Sequence, residues 1–544
     1  MKKITCREYC RHWLYHFAQR AIVLVFVLVF VTSASAQQPG VFTDVPDIDV
    51  IRVGNDYYMT STTMHLCPGV PVMHSKDLKN WEIINYVYDI LEDNDRTTLS
   101  GGHGYGSGSW ASSIRYVNGV FHICFIANEQ KKTYIYHTTD LRKPRSEWTR
   151  TEFNMMFHDP ALIYDNGRAF VAYGNGKIHI TELTPDFSGI KEGGVNQLLV
   201  DATDKKCMLN AEGSHLYKVG DYYYLFVIDW PAGGIRREVC FRTKNLLGDW
   251  EKKIIYYETL NEGLGGFTAN GCAQGGIVER ADGTWQAFLF QDQGPLGRAP
   301  VFMDMTWEDG WPVFASVKGN KGLGTLQPSI CHSDEFSNQQ LDMAWQWNHN
   351  PVNDSWSLTE RLGWMRLHTA CVAPHIFRAR NSLSQRLPGG CPVTEVCMDA
   401  KGMTKGDRAG ICAFQSNYAS IGVEVNADGK KELIVRQRNS KGQPRTSFVL
   451  DDDGNKVVYK QPLKKNKVYL RISYKFYDAA TTSETMNTAT LAYSYDGKQW
   501  TDVGAELKMQ YTLDVFMGYR TFLYCYATEK LGGYADFDYY RLED

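Results

Sequence analysis

The sequence lacks the motifs that mark several large enzyme classes. It contains no glycine-rich phosphate-binding loop, no H-E-x-x-H metal motif and no G-x-S-x-G nucleophile motif. It also lacks a dense basic run, because 58 lysines and arginines are balanced by 61 acidic residues along the chain. These absences exclude phosphate-loop enzymes, zinc proteases and α/β-hydrolases, and they argue against a nucleic-acid partner.

Long helical periodicities and C-x-x-C pairs are missing as well. Of the 13 cysteines, Cys6 and Cys10 lie near the N-terminus, and the other eleven are scattered between Cys67 and Cys525. An odd, unclustered set in a large protein favours buried free thiols, with one or two disulfide bridges as the alternative. Because helical patterns are absent and 43% of the residues are apolar, the sequence predicts a globular all-β protein.

Apart from one N-terminal run, the chain has no long apolar stretch. Five basic residues precede an apolar run at 21–31, and Ala34 and Ala36 follow in a small-x-small pattern. This order predicts a signal peptide over residues 1–36 that is cleaved on export to the periplasm or the medium. The alternative is an uncleaved membrane anchor, which the shortness of the apolar run disfavours. Cleavage would leave a net charge near −7, which suits a neutral or cationic ligand better than a polyanion.

A hairpin pattern recurs five times in the N-terminal half. The copies occupy residues 50–59, 114–123, 163–172, 216–225 and 278–287. Each combines an apolar alternating run, a turn of Gly, Asn or Asp, and an aromatic-rich run, which is typical of a β-hairpin. Their spacing of about 50 to 60 residues is right for a four-stranded blade, so the repeat predicts a five-bladed β-propeller.

An equivalent apolar residue lies at the start of each repeat, and the residue four places before it is never aliphatic. The equivalent residues are Ile51, Ile114, Ile163, Leu216 and Val278. The five residues that precede them by four places are Asp47, Trp110, Asp159, Glu212 and Gln274. Four residues along an extended strand return to the same face, so the five side chains should occupy matching places at one end of the innermost strands. Three carboxylates, a tryptophan and an amide are therefore predicted to meet at the mouth of the central channel.

The length of 544 residues predicts two domains. The repeats predict a propeller over residues 38–318, a glycine-rich linker over 319–331, and a β-sandwich or jelly roll over 332–544. In the last region apolar residues alternate strictly from Val468 to Tyr474, and Asp496 followed by Gly497 indicates a type I′ hairpin turn.

Tryptophans close several of the repeats. Trp81 and Trp250 follow Asp or Asn residues at blade ends, and Trp148 and Trp307 occupy similar places. Large rings at such positions are predicted to pack between blades rather than to bind a ligand.

Each acidic residue taken alone has a structural explanation. An Asp beside a strand most often caps a turn, and we expect Asp44 and Asp165 to do so. Turn chemistry does not explain the shared register of Asp47, Asp159 and Glu212, and Glu is a poor turn residue. Paired carboxylates are the groups needed to hydrolyse a glycosidic bond, either with inversion or with retention according to their separation.

Two histidines and an arginine lie near these acids in the sequence. His158 and His215 flank the acidic residues and are expected either to line the channel or to lie behind the acids; a central metal is an alternative that no ligand spacing supports. Arg298 follows the fifth hairpin and could either hydrogen-bond a sugar hydroxyl or pair with an acid, with a surface salt bridge as the alternative.

Three short motifs carry a resemblance to a known family. They are residues 46–54 around Asp47, residues 158–161 around Asp159, and residues 211–217 around Glu212. At these motifs the chain resembles glycoside hydrolase family 43, whose five-bladed propellers act as β-xylosidases and α-L-arabinofuranosidases. Residues 334–336, 341–351 and 535–540 are similar to the concanavalin-like jelly roll that follows the propeller in the xylosidase branch.

The resemblance implies a role for each acid. Asp47 would be the general base, Glu212 the general acid, and Asp159 the residue that tunes and orients the acid, with inversion of configuration. Trp110 and Arg298 would bind the sugar, and Gln274 is placed with them by its register.

The chain departs from the family pattern at two positions. Ile48 stands where many members have proline, and Gln274 stands where many have a histidine that helps to hold a central cation. We therefore predict that no cofactor is required, and a structural calcium ion is the metal that the resemblance leaves open.

Together these features predict an exported, exo-acting, inverting hydrolase. It would release terminal α-L-arabinofuranosyl or β-D-xylosyl units from plant hemicellulose, arabinan or derived oligosaccharides, with no membrane partner after signal cleavage. An endo-arabinanase and a noncatalytic carbohydrate-binding propeller are the alternatives. The appended sandwich favours exo action, because an endo-acting cleft must be open at both ends.

Overall fold

Strands make up nearly all of the regular structure, which confirms the all-β prediction. The computed structural model describes residues 41–259, 270–317, 330–440, 452–476 and 486–543. Across these ranges there is no α-helix, and no helix is long and apolar enough to cross a membrane. Short 3-10 turns occur at Arg145–Glu147, Gly294–Leu296, Asn353–Ser355 and Ile376–Arg378. The predicted signal peptide and most of the predicted linker lie outside the described residues.

Five four-stranded antiparallel sheets follow one another as the blades of a propeller. The first two blades contain β1 (Asp49–Val53), β2 (Asp56–Thr60), β4 (Gly69–Ser75) and β5 (Glu82–Tyr88), and then β6 (Ser109–Val117), β7 (Val120–Ala127), β8 (Lys132–Thr138) and β9 (Thr149–Phe153). The third contains β10 (Ala161–Asp165), β11 (Arg168–Asn175), β12 (Lys177–Leu183) and β13 (Asn196–Asp201). The fourth contains β14 (Cys207–Val219), β15 (Tyr222–Pro231), β16 (Arg237–Thr243) and β17 (Glu251–Tyr256). The fifth contains β18 (Ala273–Glu279), β19 (Trp285–Asp292), β20 (Arg298–Glu308) and β21 (Trp311–Phe314).

The first strand of each blade lines the central channel. These inner strands pack in the order β1, β6, β10, β14, β18, and β18 returns to pack against β1. The ring is therefore closed, and the inner edge of each blade is short and protected at the centre of the ring. Each predicted hairpin forms the inner two strands of one blade, as in the pairing of Asp49 with Thr60 in β1 and β2.

The C-terminal region forms two antiparallel sheets. In spatial order the larger sheet contains β3 (Leu66–Cys67), β22 (Gln346–Asn348), β25 (Leu383–Arg386), β34 (Arg520–Ala527), β27 (Asp407–Phe414), β28 (Tyr418–Val425), β29 (Lys431–Arg438) and β30 (Lys456–Pro462). The smaller sheet contains β23 (Trp356–Ser357), β24 (Met365–His368), β35 (Tyr534–Glu543), β26 (Val393–Asp399), β31 (Lys467–Lys475), β32 (Thr488–Ser494) and β33 (Thr501–Lys508). Their facing side chains form one large apolar core.

The alternation predicted around residue 470 is confirmed, but the turn predicted after it is wrong. In β31 the side chains of Val468, Leu470, Ile472 and Tyr474 are buried, and the residues between them are partly exposed. The link between β32 and β33 is a longer loop, in which the Asp496 carboxylate accepts the N–H groups of residues 498 and 499 at 2.8 Å. An Asp side chain that caps the loop in this way replaces the two-residue type I′ turn.

The propeller and the sandwich share strands and core. β3 comes from the first blade region but pairs with β22, which places Cys67 opposite Trp347. Phe42 and Leu296, from the propeller half of the sequence, pack into the core of the sandwich. Residues 39–544 form one compact unit.

The prediction that Asp44 and Asp165 cap turns is wrong. The Asp165 carboxylate instead joins two blades, because it pairs with Lys218 at 2.9 Å and accepts the hydroxyl of Tyr223 at 2.5 Å. The Asp44 carboxylate accepts N–H groups from residues 298 and 518 at 2.9 Å. Both side chains make long-range contacts that local sequence does not reveal.

None of the eleven cysteines from Cys67 to Cys525, which all lie in the described ranges, is in a disulfide, and eight of them are buried. The preference for free thiols over a disulfide framework is therefore confirmed for this part of the chain.

Tryptophans at blade ends do pack between blades. Trp81 of the first blade is 2% exposed and stacks on Phe302 of the fifth at a centroid distance of 5.9 Å. Trp307 of the fifth blade contacts Tyr224 of the fourth at 5.0 Å. The contact of Trp81 joins the first blade to the last and so helps to close the ring.

We expect Trp81→Ala to lower the free energy of unfolding by about 3 to 5 kcal/mol, because it removes a large buried ring at the closure of the propeller. Denaturant unfolding of the two proteins at one pH measures the difference. Leu362→Ala is the control, since this side chain is 76% exposed and its loss should change stability by less than about 0.5 kcal/mol. A loss for Trp81→Ala no larger than that of the control would contradict the role in closure.

Candidate active site

The five register residues lie where the inner strands lose their regular form. Asp47, Asp159 and Gln274 have left-handed backbones, with φ of 52°, 48° and 59°. Trp110, Glu212 and Gln274 lie at irregularities in the pairing of β6, β14 and β18. The extended-chain argument for their direction is therefore wrong, although the positions are equivalent. Bulges and left-handed residues turn side chains out of the regular pleat, and they are common beside active sites.

Asp47 is buried, and both of its carboxylate oxygens have donors. Arg298 Nη1 donates to Oδ1 at 2.6 Å, and the Thr62 hydroxyl donates to Oδ2 at 2.9 Å. The Arg298 guanidinium also lies over the ring of Phe290 at 4.5 Å. Of the roles considered for Arg298, pairing with an acid is the one observed, and its burial excludes a surface salt bridge.

Glu212 and Asp159 are joined through the backbone and through a histidine. His158 Nε2 lies 3.1 Å from Glu212 Oε2 and 3.6 Å from Asp159 Oδ2. The other Asp159 contact comes from the N–H of Gly213, which donates to Oδ2 at 2.9 Å. Asn175 Nδ2 donates to Glu212 Oε2 at 2.5 Å. Asp159 therefore fixes the peptide next to Glu212, and His158 lies between the two acids.

The pKa values of His158 and Asp159 are both raised. The charge of Asp159 raises the pKa of His158 to about 9, with a further contribution from its hydrogen bond to Glu212 and with burial opposing both. Burial raises the pKa of Asp159 to about 6; the His158 charge opposes this rise, and the charges of Glu212 and Asp47 add to it. Carboxylates from three blades are thus close enough for their charges to interact.

Trp110 meets an aromatic ring from the sandwich. Its ring centroid lies 6.0 Å from that of His158 and 5.8 Å from that of Phe516, with an edge-to-face angle of 85° to the second. Phe516 lies in the loop between β33 and β34, and the Arg298 guanidinium sits over its ring at 4.8 Å. In the described part of the chain, Trp110 Nε1 is buried without a hydrogen-bond acceptor. The channel mouth is therefore bordered on one side by the sandwich.

Gln274 is held at the mouth by a buried acid that sequence reasoning missed. Its N–H donates to Glu238 Oε2 at 2.7 Å. Burial raises the pKa of Glu238 well above its ordinary value. The Gln274 side chain packs so closely on Gly213 that a Cβ at Gly213 would lie 2.6 Å from it, and the φ of +70° there also requires glycine.

A line of alternating charges extends from Asp47 along the fifth blade. Arg298 Nε lies 3.3 Å from Asp292 Oδ1, and Arg236 Nη1 pairs with the other Asp292 oxygen. Asn270 Nδ2 donates to that same oxygen at 2.7 Å. Sequence reasoning missed Asp292 and Arg236. Asp292 could have been found from the pairing of β19 with β20, because it lies directly opposite Arg298 in that hairpin.

His215 lies beneath the mouth, as predicted, and links two blades. Its ring nitrogens lie 3.1 Å from the carbonyl oxygens of Gly213 and Ile48. Burial lowers its pKa. The residue therefore acts as a bridge between the fourth and first blades.

One group of metal-type donors occurs in the described ranges, and it coincides with the acids. The donor atoms of His158, Asp159 and Glu212 lie within 4.8 Å of one another. His158 Nε2 is already in contact with both carboxylates, at 3.1 Å from Glu212 Oε2 and 3.6 Å from Asp159 Oδ2, so the three donors are paired with one another. At the position where the family pattern has an imidazole, Gln274 offers an amide. These residues do not fit the central cation site that the resemblance suggests.

Two family models match the chain. Residues 36–312 match the model described as Glycosyl hydrolases family 43, and residues 333–543 match the Beta xylosidase C-terminal Concanavalin A-like domain. The first match covers all three acids, and the second covers Phe516.

The chain is also similar to individual proteins, at moderate sequence identity. The chain is 27% identical to a beta-xylosidase of Formosa agariphila, over 92% of this chain and 89% of that protein. It is also 27% identical to a non-reducing end alpha-L-arabinofuranosidase of Bacteroides ovatus, over 60% of this chain and 64% of that protein. Among solved structures, a bifunctional GH43-CE protein of Bacteroides eggerthii superposes with a TM-score of 0.83 and 39% identity, covering 93% of this chain. The present chain spans 64% of the length of that structure.

The electrostatics of the acid pair can be tested without a substrate. We expect Asp159→Asn to lower the pKa of His158 from about 9, because the largest favourable charge is removed while burial still disfavours the imidazolium. Titration of the imidazole by NMR on histidine-labelled protein measures the midpoint. Asp282→Asn, in an exposed turn of the fifth blade, is the matched control and should leave the midpoint unchanged. An equal midpoint in wild type and Asp159→Asn would show that Asp159 does not set the charge of His158.

Proposed function

Because the chain belongs to glycosyl hydrolase family 43, we propose that it is an exo-acting hydrolase that releases single terminal pentose units. The units are α-L-arabinofuranosyl or β-D-xylosyl residues, and the substrates are plant hemicellulose, arabinan or their oligosaccharides. The observation that carries this function is the meeting of Asp47, Asp159 and Glu212, from three different blades, at a mouth bordered by Trp110 and Phe516. The names of the relatives, a beta-xylosidase and an alpha-L-arabinofuranosidase, support the two sugars.

Glu212 and Asp47 are assigned the two proton transfers. Glu212 is the more exposed of the acids, with a side chain 19% accessible, and it is the general acid that protonates the leaving oxygen. Asp47 is paired with Arg298, and an ion pair with a guanidinium suits a carboxylate that accepts a proton from water. Water activated by Asp47 attacks the anomeric carbon from the face opposite the leaving group, which gives inversion.

Asp159 and His158 position and tune the acid. The Asp159 carboxylate holds the N–H of Gly213, which fixes the peptide that carries Glu212. His158 donates to Glu212 from Nε2 and carries a positive charge at neutral pH. Burial raises the pKa of Asp159 to about 6, so its charge changes just below neutral pH, and its ionisation alters the field at Glu212.

Trp110, Gln274 and Arg298 are assigned to the sugar subsite. The indole of Trp110 offers a flat apolar face for a sugar ring, and its buried N–H has no acceptor among the described residues. Arg298 supports Asp47 and can also donate to a sugar hydroxyl. Gln274 contributes an amide at the remaining register position.

Exo action is proposed because the sandwich lies beside the mouth. Phe516 contacts both Trp110 and Arg298, so one side of the subsite is bordered by a second domain. An endo-acting enzyme must let the polysaccharide continue past the site on both sides, and here the sandwich would block one side. An exo-acting enzyme binds only the end of a chain, which the bordered mouth can accept. The same contact disfavours an endo-arabinanase.

The enzyme is exported in this proposal and needs no cofactor. The basic residues, short apolar run and small-x-small pattern of residues 1–36 support cleavage of a signal peptide. The two proton transfers are assigned to carboxylates, so the mechanism includes no step that a metal must perform. N-terminal sequencing of the secreted protein would identify the cleavage site.

We expect Glu212→Gln and Asp47→Asn each to reduce kcat on oligosaccharides of α-L-arabinofuranose or of β-D-xylose by about 10²- to 10⁴-fold, because each amide removes one proton transfer and a sugar leaving group must be protonated as it departs. The wild-type rates on the two glycosides also decide which pentose is preferred. Glu147→Gln and Asp282→Asn, at exposed positions of the propeller, are the matched controls and should retain full activity. Wild-type turnover in either test variant would remove that residue from the mechanism, and a wild type that binds oligosaccharide without turnover would indicate a noncatalytic propeller.

Product analysis tests exo action. We expect linear arabinan or xylo-oligosaccharides to give free pentose as the first product, with the starting chains shortened one unit at a time, because the bordered mouth admits a chain end. Chromatography of early time points measures the products. A ladder of oligomers from linear arabinan would instead indicate an endo-arabinanase.

A further inference from the structure

The buried carboxylate of Asp44 hydrogen-bonds to the propeller and to the sandwich beside the pocket. Asp44 is 6% exposed and lies three residues before Asp47. Its Oδ1 accepts the N–H of Arg298 at 2.9 Å, and its Oδ2 accepts the N–H of Gly518 at 2.9 Å. The first donor begins β20 in the propeller, and the second lies in the sandwich loop that carries Phe516. A single side chain therefore joins the two peptides that present the guanidinium and the ring at the channel mouth.

Further hydrogen bonds join the segment around Asp44, the start of β20 and the sandwich. The Val45 N–H donates to the Arg298 carbonyl at 2.9 Å, and the Tyr519 N–H donates to the Pro295 carbonyl at 2.8 Å. Arg386 Nε of the sandwich donates to the Asp44 carbonyl at 2.9 Å. These bonds fix the carboxylate in place from both domains.

The chain segments that contain Asp44, Gly297 and Gly518 are packed tightly against one another. A Cβ at Gly297 would lie 2.1 Å from Asp44 Oδ1, and a Cβ at Gly518 would lie 2.0 Å from the Leu296 carbonyl oxygen. Both neighbours of the carboxylate must therefore be glycine, because any side chain would push the peptides apart. Close approach of this kind makes the position of one segment depend on the position of the other.

The charge of Asp44 is matched by buried arginines. Arg386 and Arg520 are cross-strand partners in the larger sandwich sheet, at 1% and 2% exposure. Both lie close enough to Asp44 for their charges to stabilise its ionised form, which burial opposes. Two like charges side by side in the core require a nearby anion, and Asp44 supplies a negative charge at this place.

We propose that Asp44 is a positioning residue for the pentose pocket, which sets Phe516 of the sandwich against Arg298 of the propeller. It does not touch the sugar, and it acts through the two backbone N–H groups. Loss of these bonds would let the Phe516 loop move relative to Arg298, and a displacement of about 1 Å in a substrate site is enough to reduce catalysis strongly. The inference rests on the proposed function, because it assigns Phe516 and Arg298 to the subsite for the terminal pentose.

The experiment is a double-mutant cycle between Asp44 and Phe516, measured as kcat/KM on the preferred aryl pentoside. The single variants are Asp44→Ala and Phe516→Ala, and they are compared with the variant that carries both. We expect Asp44→Ala to lower kcat/KM about tenfold or more in the wild-type background, mainly through KM. In the Phe516→Ala background it should lower kcat/KM by about threefold or less, since the ring that it positions is gone.

Asp44→Asn provides a graded comparison and serves in place of Asp44→Ala if that variant does not fold. It retains one carbonyl oxygen, so it can accept only one of the two N–H groups, and its loss of kcat/KM should be smaller than that of Asp44→Ala. Asp407→Asn is the matched control. Asp407 is a fully buried sandwich carboxylate that accepts the N–H of Thr404 at 2.6 Å, and its substitution should lower thermal stability while leaving KM unchanged.

A crystal structure of Asp44→Asn gives a readout that does not depend on catalysis. We expect the Phe516 ring to move by more than about 1 Å relative to the Arg298 guanidinium. The inference is overturned if the ring stays in place, or if Asp44→Ala costs the same factor with and without Phe516. If wild type cleaves neither aryl pentoside, the proposed function fails, and the crystallographic comparison alone decides the positioning role.

Discussion

Three carboxylates share the mouth of the channel because each of them lies beside a cation. Like charges this close, in a site withdrawn from water, repel one another strongly. Arg298 pairs with Asp47, and His158 lies between Asp159 and Glu212. The arrangement separates the acids into a paired carboxylate on one side and a histidine-linked pair on the other. Two acids with different surroundings are what acid–base hydrolysis requires.

The backbone at the mouth is held in conformations that ordinary residues avoid. Left-handed geometry at Asp47, Asp159 and Gln274 costs about 1 kcal/mol or more at each position. The closed ring of blades holds these residues in place, together with the hydrogen bonds that Thr62 and Gly213 donate to the two Asp side chains and that Glu238 accepts from the Gln274 N–H. The unfavourable backbone conformations are thus concentrated at the functional site. The regular strands around the site provide the rigidity that maintains them.

The sandwich contributes to the site as well as to stability. Its core includes propeller residues, its edge strand β3 comes from the first blade region, and its loop brings Phe516 to Trp110 and Arg298. Domains that share strands and core in this way do not move independently, so the shape of the pocket is set by how the two domains dock. Asp44 lies at that docking point and links it to the residue that pairs with Asp47.

The sequence alone determined the number of blades, the alternation in β31 and the positions of the three acids. Each of these follows from local periodicity, which reports how a hairpin repeats and which face of a strand is buried. Only the tertiary structure decided the pairing of Arg298 with Asp47, the bridge through Asp44 and the arrival of Phe516 at the mouth. These contacts join residues hundreds of positions apart, and they depend on how sheets close and dock, which no local pattern encodes. The turn assignments for Asp44 and Asp165 failed for the same reason, since an Asp that caps a turn looks the same in sequence as one that bridges two blades or two domains.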